Sequence, residues 1–349
     1  MPPTSAATAR PGLLERLAAG PVICAEGYLF ELERRGYLQA GAFVPEVVLD
    51  HPEEVTTLHR EFVHAGSDVV EAFTYYAHRE KLRLIGKAEL LEPMNRQALA
   101  LAKEVADDTG TLFAGDVCNT NIYRSGDPDS ARQVRSIFDE QVGWAVEAGV
   151  QFVIGETFSY AQEALIALEV IKAAGVPAVI MLAMHQADET REGWTVAEAA
   201  KRIADAGADV VGLNCIRGPR TMLPLLADLV AAVDIPVAAL PVPYRTTPEQ
   251  PSFQSLRDPS YDGRPFPTAL DPFVCTRDEI ADFTGAAQDL GVGYFGVCCG
   301  AGPHHIRSMA EALGRTPPAS RYSADMSKHA FLGTDPTLQE HNIAYRSTL

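Results

Sequence analysis

The sequence predicts an α/β protein folded as a single (β/α)8 TIM-type barrel, and three features carry that reading. Helix-like segments repeatedly end in glycine and run straight into short β-branched strands. Eight such strands follow one another in βα order. The 349 residues, 47% hydrophobic, have the length and apolar content of one large barrel. A doubly wound open sheet is the alternative, but that fold usually carries a glycine-rich phosphate turn after its first strand, and EGYLFELERRG has no GxGxxG.

The elements follow in order. PVICAE (21–26) is the first strand, and HAGSDVV (64–70) closes a helix at Gly66 and opens the second. TLFAGDV (111–117), EAGVQFVIGE (147–156) and AAGVPAVIML (173–182) give strands three to five. DAGADVVGLN (205–214), IPVAALPV (235–242) and LGVGYFGVCC (290–299) complete the set, with amphipathic segments such as EEVTTLHREFVHA and VAEAAKRIADA between strands. Residues 243–272 form a long proline-rich loop after strand 7, placed where a barrel holds a cover over its mouth. Residues 315–349 show no period. The expected organisation is therefore a barrel over 1–314 and an irregular C-terminal tail over 315–349 that contacts another subunit of a homo-oligomer.

Charge narrows the business of the barrel. Twenty-nine Lys and Arg against 46 Asp and Glu leave a net charge of -17, which repels nucleic acid and anionic lipid. No stretch approaches the 18 or so apolar residues of a membrane helix, and the N-terminus lacks the apolar run of a signal peptide. A soluble, cytoplasmic protein that works on small molecules is the expectation. In a reducing compartment, six cysteines point to metal or redox chemistry rather than to a disulfide framework.

Three of those cysteines fall at strand ends, where a barrel keeps its active site. Cys215 ends VVGLNC and Cys298 and Cys299 end YFGVCC, so sulfurs from strands six and eight converge at one mouth. Adjacent side chains of a strand face opposite ways, so both members of the pair meet one ion only where the strand breaks, and Gly300 permits that turn. Three thiolates on Zn2+ leave one tetrahedral position open, as in catalytic zinc sites. The bland alternative is that these cysteines fill space as small hydrophobes, which is the expected role of Cys24, Cys118 and Cys275. A disulfide within the adjacent pair is disfavoured by geometry.

The same motifs resemble those of the homocysteine S-methyltransferase family, through GLNC (212–215) and GVCC (296–299). GYLFELERRGYLQAGAFVPE (27–46), HPEEVTTLHREFVHAGS (51–67), FTYYAHREKL (73–82) and GAGPHHIRSMAEAL (300–313) are similar to its betaine:homocysteine branch, and the likeness spans residues 20–315. The resemblance implies that Cys215, Cys298 and Cys299 are zinc ligands, that Zn2+ is the cofactor, and that the thiol of homocysteine takes the open position. The second substrate is then a quaternary ammonium or sulfonium methyl donor. The resemblance further implies that Glu156 holds the homocysteine amino group and that Glu26, Gly27, Thr157 and Asn214 stand near the substrates, though Asn214 also suits a turn cap. Phe43 and Tyr76 match donor-binding aromatics, and Phe73, Tyr75 and Phe158 lie on neighbouring strand ends. His304 and His305 are expected as turn partners at the start of the last helix.

The chain also departs from the family pattern. Ala25 stands where an acidic residue is usual and Glu26 follows it, Phe43 replaces a Trp, and Thr157 replaces a Tyr that touches betaine. A wider donor pocket with weaker cation attraction is expected. The reading from a different class is a non-catalytic barrel whose cysteines store zinc or sense oxidants.

Overall fold

The computed structural model describes residues 10–349. The first nine residues of the segment expected to lack a signal peptide lie outside the described residues. Eight parallel strands close into a barrel in the order of the sequence, β1 to β8, with β8 paired back to β1. They are β1 Val22–Ala25, β2 Val69–Glu71, β3 Leu112–Cys118, β4 Phe152–Phe158, β5 Ala178–Leu182, β6 Val210–Asn214, β7 Val237–Leu240 and β8 Tyr294–Val297. Cys215, Cys298 and Cys299 were expected to end their strands. Instead they lie one or two residues beyond β6 and β8, because the ladder stops where the chain turns across the mouth.

The alternation of strand side chains explains the interior. Val22 and Cys24, Val69, Leu112 and Ala114, Phe152 and Ile154, Val210 and Tyr294 pack as one apolar plug, closed below by Leu13 of the helix Leu13–Ala19. Two residues further along β1 to β4 the inward row reaches Glu26, Glu71, Asp116 and Glu156, and beyond Gly212 and Gly296 it reaches Asn214 and Cys298. An apolar floor thus carries a polar ceiling. Gly212 and Gly296 let neighbouring strands approach, since a Cβ on either would collide with Ala238 or with the Cys24 carbonyl. The outer rows pack against the helices as the main core.

No helix among the described residues is long and apolar enough to cross a membrane. The last barrel helix, Pro303–Ala312, is followed by short turns and the helix Glu340–Tyr345. Met326, Leu332, Ile343 and Tyr345 of that tail are exposed.

The helix Pro52–Ala65 buries an uncharged histidine. His59 is 0% exposed, meets the edge of Tyr28 at 4.8 Å, and has no hydrogen-bond partner on either ring nitrogen. Burial lowers its pKa to about 3. The unfolded chain therefore takes up a proton that the native protein refuses, and the stability present above the ordinary value of 6.5 is lost as pH falls from there toward 3. At about pH 5 the loss is about 2 kcal/mol from this residue. His59→Phe is expected to flatten the pH dependence of urea stability between about pH 8 and pH 5 by about that amount, and an unchanged slope would contradict the assignment.

Candidate active site

Three sulfurs meet at the mouth. The Cys215 amide is held by the Leu240 carbonyl at 2.9 Å and the Cys298 amide by the Pro241 carbonyl at 2.9 Å, so the end of β7 fixes both neighbours. Beyond β8 the chain breaks at Gly300, with φ 94°, where a Cβ would strike the Tyr244 ring. That break brings the Cys298 and Cys299 sulfurs to the same side, 3.9 Å apart. All three Sγ atoms lie within 4.8 Å of one another. Sulfurs held at about 2.3 Å around one tetrahedral Zn2+ stand about 3.8 Å apart, so the triad fits such an ion. Hydrogen bonds from Cys298 and then Cys299 pull the Cys215 thiol well below its ordinary value, while burial pushes Cys298 up.

Asn214 organises the acidic side. It is fully buried, its Nδ2 donates to Glu156 Oε2 at 2.5 Å and to Glu26 Oε2 at 3.2 Å, and its Oδ1 accepts from the Thr157 amide at 2.9 Å. Thr157 Oγ1 donates to Glu156 as well, at 3.0 Å. The turn-cap role open to Asn214 is replaced by a bridge between two carboxylates of different strands. Burial first, and then the Cys215 charge, raise Glu156 to about 8. Glu26 is raised by burial and by Glu156. A cationic amine is what this pair lacks.

The departure at Ala25 has a geometric meaning. Ala25 packs outward with Ile23, whereas Glu26 follows the inward row of Val22 and Cys24. A shift of one residue changes the face of a strand, so Glu26, not residue 25, presents its acid to the site. Gly27 lines neither cavity of the site. A Cβ there would strike the Ala301 carbonyl, so it packs the first turn against the turn after the cysteines.

Two cavities adjoin the sulfurs. The smaller, about 20 Å³, is walled by Glu26, Glu71, Asp116 and Glu156 and reaches Cys298 and Cys299. The larger, about 230 Å³, reaches Cys215 and Cys299 and is walled by Phe30, Phe43, Tyr75, Tyr76, Phe253 and Phe266. Tyr75 and Cys299 border both. Phe43 and Tyr76 therefore stand in the wider cavity as expected, with Thr157, while Phe73 faces the smaller one against Tyr28. Phe158 packs on Phe138 in the core. The Cys118 sulfur accepts the Tyr76 amide at 3.3 Å, so this core cysteine also seats an aromatic wall. His305 Nδ1 accepts the Gly302 amide at 3.1 Å, the turn role expected of it.

Several features escaped the sequence reading. Phe253 and Phe266 come from the loop 243–272, whose aromatic residues carry no periodic signal. Glu71 and Asp116 also escaped it, although each is an acid two residues beyond an apolar inward position, Val69 and Ala114. Phe43, Tyr76, Asn121, Thr157, Cys215 and Ile216 have φ between 55° and 62°, and all six line the larger cavity. They are the non-glycine residues of positive φ among the described residues. Each costs of order 1–3 kcal/mol, so the surrounding fold holds strain where the cavity is built.

Comparison with known proteins agrees with this geometry. A family model described as homocysteine S-methyltransferase matches residues 24–313. The chain is 37% identical to betaine–homocysteine S-methyltransferase 1 of Xenopus tropicalis over 352 residues, covering 96% of this chain and 84% of that one. It is 34% identical to S-methylmethionine–homocysteine S-methyltransferase BHMT2 of Mus musculus, covering 97% and 92%. The metallated homocysteine methyltransferase MmuM from Escherichia coli shares the fold with a TM-score of 0.66 at 18% identity, covering 85% of this chain and 98% of that one. The chain belongs to the homocysteine S-methyltransferase family.

Proposed function

We propose that this protein transfers a methyl group from an onium donor, betaine-like or sulfonium, to the sulfur of homocysteine, giving methionine and the demethylated donor. The observation that carries the reading is the position of the sulfur triad between an acidic cavity and an aromatic one, with Cys299 bordering both. Cys215, Cys298 and Cys299 hold Zn2+. Bound there, Zn2+ would supply the Lewis acidity that stabilises the homocysteine thiolate at neutral pH.

The chain's own residues do the rest. Glu156 and Glu26, tied together by Asn214, pair with the acceptor's ammonium and point its thiol toward the wider cavity. Phe43, Tyr75 and Tyr76 face the donor cation, and Phe253 and Phe266 keep water from it. In the displacement the sulfur lone pair forms the S–CH3 bond while the pair of the breaking bond stays on the donor nitrogen or sulfur. Anion and cation are neutralised together, which a dry site favours. Six free cysteines suit a reducing cytoplasm, and the exposed apolar side chains of residues 315–349 suit contact with a second copy of the chain.

Methionine formation from homocysteine with a panel of betaines and sulfonium compounds tests the reading. Zinc bound with no turnover on any donor would favour the zinc-storing or redox-sensing barrel. Within the panel, glycine betaine is expected to be a poor donor, since Thr157 leaves one wall without a ring. Thr157→Tyr, alone or with Phe43→Trp, is expected to raise kcat/KM for glycine betaine by about 2- to 30-fold, the equivalent of about 0.5–2 kcal/mol for a cation–π face. It should lower kcat/KM for a bulkier donor. If the wild type prefers glycine betaine and both substitutions impair it, this account of Thr157 is wrong.

A further inference from the structure

Tyr244 stands near the start of the loop 243–272, is fully buried, and has no part in the chemistry described above. Its backbone, ring and hydroxyl each meet a different part of the mouth. The Tyr244 carbonyl packs against Gly218, beyond Cys215, where a Cβ would strike it. The ring lies nearly parallel to Phe253, with centroids 5.9 Å apart at 19°, and Phe253 in turn meets Phe266 at 5.0 Å and Phe30 at 5.9 Å. The Phe253 amide donates to the carbonyl of Ile216, next to Cys215, at 2.9 Å. The Tyr244 hydroxyl sits over Gly300, where a Cβ would collide with it.

Arg34, at the end of the helix Tyr28–Arg34, fixes that hydroxyl. Its Nη2 donates to Tyr244 Oη at 2.9 Å and its Nη1 to the Gly300 carbonyl at 3.1 Å. Glu31, the acid it faces, stands 4.0 Å away and is held more closely by Arg35, at 2.9 Å. The charge of Arg34 is therefore spent on two neutral oxygens, and a rigid planar fork sets the distance between them. The Ala301 amide closes the turn on the Cys298 carbonyl at 3.0 Å, with Gly300 at positive φ in its third place. Holding the Gly300 carbonyl thus holds the turn on which both adjacent sulfurs stand.

We propose that Arg34 and Tyr244 are positioning residues for methyl transfer, Arg34 locking the Tyr244 hydroxyl against the turn of Cys298 and Cys299 while the Tyr244 ring seats Phe253 of the donor wall. Neither residue lines the aromatic cavity or the acidic one, so both act through others. The inference rests on the zinc and donor reading above, and adds that one shared side chain sets the sulfur triad and the aromatic wall in register. Groups that hold metal ligands in one geometry before the ion arrives raise metal affinity, and this pair does so for Cys298 and Cys299.

The test measures Zn2+ affinity of the full-length chain by competition with a chelator, the ligand-field absorption of Co2+-loaded protein, and calorimetric binding of glycine betaine to the zinc-loaded form. Tyr244→Phe keeps the ring and loses the oxygen that Arg34 holds, and Arg34→Met keeps the stem and loses the fork. Each is expected to weaken Zn2+ binding by about tenfold or more and to change the Co2+ absorption. The double variant should be no weaker than the weaker single one, because both substitutions break the same link. Tyr244→Leu, which also removes the ring beside Phe253, should bind glycine betaine about 2- to 10-fold more weakly than Tyr244→Phe. Tyr244→Phe and Arg34→Met remove little packing, so they carry the test even where Tyr244→Leu fails to fold. Wild-type zinc affinity and Co2+ absorption in both, or additive losses in the double variant, would overturn the proposal, as would equal glycine betaine binding by a folded Tyr244→Leu and by Tyr244→Phe. Wild type that binds neither Zn2+ nor glycine betaine would defeat the reading above and this inference with it, whereas unaltered variants of a protein that binds both defeat this inference alone.

Discussion

Replacing Cys215, Cys298 or Cys299 with alanine is expected to abolish stoichiometric zinc binding and to lower methyl transfer by about a thousandfold or more. The three sulfurs form one cluster at the mouth, and an open tetrahedral site retains few ligands once one is removed. Without the ion, a free thiol with a pKa near 8.5 is only a few per cent ionised at neutral pH, and several kcal/mol of charge stabilisation go with it. Elemental analysis and steady-state rates on the three variants check the expectation. Full zinc occupancy in all three would refute the assignment of these residues as ligands. Cys24→Ala serves as the contrast, since Cys24 lies in the apolar plug below and should leave zinc in place.

The second large effect falls on the acceptor. Glu156→Gln should reduce kcat/KM for homocysteine by about a hundredfold, the equivalent of about 3 kcal/mol for removing one partner of a buried charged pair. The amide cannot pair with an ammonium, and its NH2 would face the Asn214 Nδ2 that now donates to the carboxylate. Zinc content and the donor KM should stay near wild type, because Glu156 contributes no sulfur and does not line the aromatic cavity. Loss of zinc, or a change confined to the donor, would assign Glu156 a different role.

The barrel was legible because its signals are local and repeated. Gly66, Gly149 and Gly291 stop helices at positive φ, and each is followed within a few residues by an inward-and-outward apolar strand. The convergence of the three sulfurs was suggested by topology once strands six and eight were placed, and the family resemblance singled them out as ligands. What stayed hidden depends on how strands line up with one another. Asn214 bridges Glu26 and Glu156 across 188 and 58 residues of chain, and that reach is set by barrel closure rather than by any spacing. Phe253 and Phe266 enter from a loop without periodicity, and of the six strained residues around the cavity only Asn121 is of a type that favours a left-handed backbone. Ala25 looked like a lost acid. The structure shows the acid moved one place, onto the inward row.

Transfer of a labelled methyl group tests the central claim most directly. Zinc-loaded protein is mixed with homocysteine and with betaine or sulfonium donors carrying CD3 on the onium centre, and methionine is read by mass spectrometry. The account predicts methionine heavier by the three deuteriums, formed by wild type and lost in Cys299→Ala. Unlabelled homocysteine recovered intact from every donor, with zinc still bound to the wild-type protein, would contradict it.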